Sequence, residues 1–76
     1  MTTPTHQQPL VEPLTPRQLE IARLISEEKT DKEIALELGI KIGTVKAISG
    51  MAKLKIRVRS RVGLAMWYVQ NCPHYT

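Results

Sequence analysis

The chain has 76 residues and a single cysteine, which excludes a second domain of ordinary size and an intramolecular disulfide. It contains no Phe, one Trp and two Tyr, so its core must be aliphatic, and a domain this small buries only about 60% of its unfolded surface. The net charge of +4 is segregated: residues 1–40 hold four basic and seven acidic side chains, whereas residues 41–61 hold seven basic side chains and no acid.

Residues 1–13 (MTTPTHQQPLVEP) are rich in Thr, Gln and Pro and read as a flexible arm. The arm has no Lys or Arg and is given no role in binding. Order begins at Leu14, which can staple onto the helix that follows. Thr15 is placed to cap that helix, with Pro16 at its first position and Gln18 closing a capping box. The helix runs to about Glu27 and should bury Leu19, Ile21, Ala22, Leu24 and Ile25.

Thr30 and Glu33 repeat the capping signal, and Asp31 and Glu33 suit the positive end of the helix dipole. This second helix is short, turns Ile34, Ala35 and Leu38 inward, and ends at Gly39. A third helix opens at Gly43 or Thr44 and reaches about Ile56, with Val45, Ile48, Ala52 and Ile56 as its buried stripe. Ser60 caps a fourth helix from Arg61 to about Gln70, after which residues 71–76 form a tail. Four helices, with a Gly turn before the one that carries positive charge, describe an all-α helix-turn-helix domain over residues 14–70.

Catalysis finds no support in this pattern. No Gly-rich phosphate loop, metal-ligand cluster or nucleophile–base arrangement is visible, and a domain this small lacks room for a sizeable pocket. Cys72 and His74 flank Pro73 but are too few ligands for a metal site, so they read as tail residues. No metal, cofactor or membrane segment is expected. The lone cysteine and the lack of a signal peptide point to a reducing, cytoplasmic setting.

Four ordered segments carry a resemblance: LTPRQLEIARLI from Leu14, KEIALELGI from Lys32, GTVK from Gly43 and VRSR from Val58. Together they resemble the LuxR/GerE-type helix-turn-helix domain across roughly residues 14–70. The resemblance implies a four-helix fold, a third helix that reads double-stranded DNA, a fourth helix that forms a homodimer, and a role in bacterial transcription regulation. Carried over by position, it makes Thr44 a phosphate contact and Val45 a partly buried residue touching backbone or a thymine methyl. Lys46 would reach a base edge or phosphate. Lys55, Arg59 and Arg61 would add backbone contacts, with Arg61 partly a structural anchor; apart from the resemblance, the charge of Lys53 beside the exposed stripe makes it a further DNA contact. Val62, Met66 and Val69 would line the dimer interface. Many relatives carry a sensor domain ahead of this module. The initial Met favours a complete chain, whose regulation would then come from its abundance or from a partner.

The departures fall on the third helix. Lys41 stands where the family usually has a capping Ser, and Ala47 and Gly50 stand where base-reading side chains are common. With Val45 buried, the opposite face holds Ala47, Gly50, Met51 and Leu54, flanked by Lys46 and Lys53. That stripe could pack on thymine methyls and read DNA shape. It could instead receive another protein's helix, from the transcription machinery or another regulator. A shifted helix phase that buries Met51 and Leu54 in the core is the third possibility.

Overall fold

The computed structural model describes residues 14–72. Within them the chain forms four helices and no strand: α1 (Pro16–Ser26), α2 (Asp31–Leu38), α3 (Ile42–Ile56) and α4 (Arg61–Asn71). The expected arm (1–13) and the end of the expected tail (73–76, with His74) lie outside the described residues.

Side chains start three of the four helices. The Gln18 amide donates to Thr15 Oγ1 at 3.2 Å, and the Thr15 amide donates to Gln18 Oε1 at 3.0 Å. Glu33 and Thr30 exchange the same pair of bonds at 3.1 and 2.8 Å. Each box satisfies two donors that the helix leaves orphaned, and a cap of this kind is worth about 1 kcal/mol. Ser60 Oγ accepts from the Gly63 amide at 3.0 Å. The exception is α3, whose N-cap Lys41 makes no side-chain bond. This helix begins at Ile42, slightly earlier than expected, because the Lys41 carbonyl accepts from the Thr44 and Val45 amides at 3.0 and 3.1 Å.

Three helices end on a left-handed residue: Glu28 (φ 66), Gly39 (φ 68) and Arg57 (φ 61). After each, the next amide reaches back across the last turn, Lys29 to the Leu24 carbonyl, Ile40 to Ala35 and Val58 to Lys53. These paired closures satisfy carbonyls that the helix cannot. Gly39 adopts the conformation without steric cost, whereas Glu28 and Arg57 carry about 1–2 kcal/mol each.

α1 is the central helix, packed chiefly along α4 and also against α3 and α2. Ile21, Leu24, Ile34, Val45 and Leu64 lose all contact with solvent. Burying each contributes about 1.5–3 kcal/mol. Leu14 packs into the same cluster, while Leu19, Leu38 and Ile48 sit half-buried at its margin. The expected boundary at residue 70 moves outward. α4 continues through Asn71, and the Cys72 amide donates to the Tyr68 carbonyl at 2.8 Å, which turns Cys72 into the core instead of a tail.

One polar contact ties the ends of two helices together. Arg61 Nη1 donates to Asp31 Oδ1 at 2.6 Å and Nη2 donates to the Lys29 carbonyl at 2.5 Å. The start of α4 is thereby fastened to the start of α2, beside one flank of α3.

Candidate nucleic-acid interface

The phase of α3 decides which side chains are available. Val45 and Ala52 have no exposed surface and Ile56 almost none, so the inward stripe is the expected one. Val45, expected to be partly buried, is fully covered by the core and leaves no exposed surface for a contact. The shifted phase is also excluded, because Leu54 is 75% and Met51 56% exposed. Ala47 is exposed with them, while Gly50 is half-buried.

The two flanks of this face differ. On the side toward α1, Ala47, Ile48 and Met51 line a shallow hollow of about 280 Å³ with Thr15, Arg17 and Gln18. Arg17, unremarked in the sequence, is thus brought beside α3, although Glu20 pairs with it at 3.0 Å. On the side toward α2 and α4, Lys46, Ser49 and Lys53 line a cleft of about 270 Å³ whose far wall is the Asp31–Arg61 pair. Among the described residues no carboxylate pairs with Lys46 or Lys53. Ser49 was also unmarked; the signal was its position one helical turn from each lysine.

Thr44 is exposed on the first turn of α3, which has no side-chain acceptor of its own. Such a turn presents amide donors and the positive end of a dipole to an anion. Lys53 and Lys55 lie in the last turn, where cations complement the opposite end of the dipole. Arg59 is exposed in the loop between α3 and α4. Arg61 is only half-exposed, and its two bonds assign it an anchoring role before any contact with a ligand.

A second exposed apolar face lies on α4, where Val62 is 65%, Met66 54% and Val69 58% exposed. With Ile25, Glu28 and Gln70 they line a groove of about 470 Å³. The α2 capping box holds the Glu33 carboxyl below its ordinary pKa, chiefly because the Thr30 backbone amide bonds the charged form. Among the described residues no cluster of three metal-ligating side chains occurs, and no helix is long and apolar enough to cross a membrane.

Comparison with known proteins places this geometry. The family model for bacterial regulatory proteins of the luxR family matches residues 12–68. The chain is similar to the transcriptional regulatory protein DesR of Bacillus subtilis (strain 168), with 44% identity over 50 residues. That match covers 66% of this chain and 25% of DesR, so the chain spans about a quarter of that relative's length.

Proposed function

The chain belongs to the luxR family of bacterial regulatory proteins, and from that premise we propose that it is a DNA-binding transcriptional regulator. It lays α3 in the major groove and draws most of its affinity from phosphates. The observation that carries this assignment is Lys46 and Lys53, which lie together along one flank of the exposed face of α3 without a carboxylate partner among the described residues. The major groove is about 12 Å wide and admits a helix. Phosphates along one side of it then meet these two cations. Thr44, Lys55 and Arg59 extend the contact surface along the backbone.

The middle of that face holds Ala47, Gly50 and Leu54, none of which has a side-chain hydrogen-bonding group. Base edges are therefore read through thymine methyls and groove shape more than through donor–acceptor pairs, and sequence specificity is low. Val62, Met66 and Val69 pair two copies through α4, so the protein acts on DNA as a homodimer in the bacterial cytoplasm. DesR, described as a transcriptional regulatory protein, supports the same assignment.

One observation favours a second function. Leu54 and Met51 are large apolar side chains on the outer face of α3, and exposed clusters of this kind commonly meet protein. In that case α3 docks on a transcription-machinery component or another regulator. Gly50→Leu, with folding checked by circular dichroism, separates the two, because a Cβ at this position meets no atom within 4 Å. A close-packed protein contact is lost, whereas phosphate-driven DNA affinity is largely retained.

The direct test is fluorescence anisotropy against random duplex DNA at several salt concentrations. The association constant falls linearly on a log–log plot, with a slope of about −0.9 per phosphate contacted and several contacts in total. No binding at low salt overturns the DNA assignment and leaves the protein-docking one.

A further inference from the structure

We propose that the cleft between α2, α3 and α4 is a phosphate site, a notch that takes one tetrahedral phosphate group between Lys46 and Lys53. This rests on the DNA assignment for one of its two sources of phosphate and is independent of it for the other. Three cations face the cleft, Lys46, Lys53 and Arg61, against one carboxylate, Asp31. The carboxylate is already engaged by Arg61 at 2.6 Å, so the two lysines set the field inside the notch. They stand two helical turns apart on one flank of α3, with Ser49 between them.

Ser49 Oγ donates to the Lys46 carbonyl at 3.2 Å, a long bond for a hydroxyl. A stronger acceptor readily turns that hydroxyl toward itself, and a phosphate oxygen is one. The floor is apolar: Ile25 is 5% exposed and Leu64 fully buried. An apolar floor lowers the local dielectric beneath the lysines, which strengthens their attraction for an anion. The volume of about 270 Å³ is that of several waters at about 30 Å³ each. The cleft opens beside the exposed face of α3, where a groove-bound helix meets the DNA backbone. The phosphate is therefore either a backbone phosphodiester or a free phosphate that occupies the same notch.

Ser49→Leu fills the cleft without changing any charge, and Lys53→Gln removes one cation. Both variants and the parent chain are checked for folding by circular dichroism. Inorganic phosphate is then titrated at constant ionic strength while the amide signals of Ser49, Lys53 and Arg61 are followed by NMR. In parallel, duplex binding is measured across a salt series. A DNA-backbone source lowers the magnitude of the salt slope by about 0.9 in each variant, the contribution of one lost phosphate. A free-phosphate source shifts those amides at submillimolar phosphate in the parent and not in Ser49→Leu, with the DNA slope of Ser49→Leu unchanged. If filling the cleft alters neither phosphate response nor DNA slope, the proposal is overturned while DNA binding stands. If the parent binds no DNA, that assignment fails and the phosphate titration alone decides the cleft. Should Ser49→Leu fail to fold, Lys53→Gln gives the same readings, and unchanged values in it are equally fatal.

Discussion

α3 and α4 each expose an apolar stripe at helical spacing, and the two differ in their surroundings. Leu54, Met51 and Ala47 on α3 lie between Lys46 and Lys53 on one side and Arg17 on the other. Val62, Met66 and Val69 on α4 border Ile25, Glu28 and Gln70, and the nearby Arg61 is occupied by Asp31. Exposed apolar area alone does not name a partner. A cationic frame makes the α3 stripe suited to a polyanion, whereas the frame of α4, with one carboxylate (Glu28) and one paired guanidinium (Arg61), suits a like surface on a second copy.

The largest effect expected from this contrast comes from reversing the frame. Lys46→Glu together with Lys53→Glu should lower duplex affinity about a hundredfold at 0.1 M salt and leave self-association unchanged, as read by anisotropy and sedimentation. Val62→Asp with Met66→Asp should do the converse. Self-association is lost, affinity for a single short duplex barely changes, and affinity for two tandem sites falls about 10- to 100-fold. If instead these α4 changes abolish binding to the short duplex, the division of labour fails. A smaller gain follows from Leu54→Lys, which adds a cation to the stripe: DNA affinity rises several-fold and the salt slope steepens by about 0.9.

Two effects concern stability alone. Gly50→Ala introduces a Cβ that meets nothing within 4 Å, so the only change is helix propensity. The variant should gain about 1 kcal/mol and melt about 4–8 °C higher. The smallest is acidic. The folded chain holds the Glu33 carboxyl below its ordinary value, so this stabilisation is full above the unfolded pKa of about 4.3 and fades as pH falls through the folded value. Glu33→Gln should therefore flatten the acid limb of the melting curve slightly, and an unaltered limb would show that the capping box contributes no pH dependence.

Local chemistry explains which features were legible in the residues. Both capping boxes, the Gly39 turn and the inward stripe of α3 depend on residue type at short spacing, and the structure has all of them. The left-handed closures at Glu28 and Arg57 were not legible, because backbone hydrogen bonds from Lys29 and Val58 hold there a conformation that the side chains disfavour and that residue type does not signal. Likewise the cleft needs Asp31 and Arg61, thirty positions apart, to meet beside α3, and no local pattern announces that meeting. For Val45 the helical spacing and the resemblance disagree, the first placing it in the buried stripe and the second leaving it partly accessible, and the structure agrees with the spacing. Cys72 reads as a tail residue because it has too few neighbours for a metal site, whereas the structure packs it into the core cluster with Tyr68.

The claim that α3 and not α4 meets DNA is tested most directly by mapping amide shifts as short duplex DNA is added to the labelled chain. The largest changes should fall on residues 42–55 and at the starts of α2 and α4, with Val62, Met66 and Val69 nearly still. Changes concentrated on the α4 face, with residues 42–55 unmoved, would contradict it.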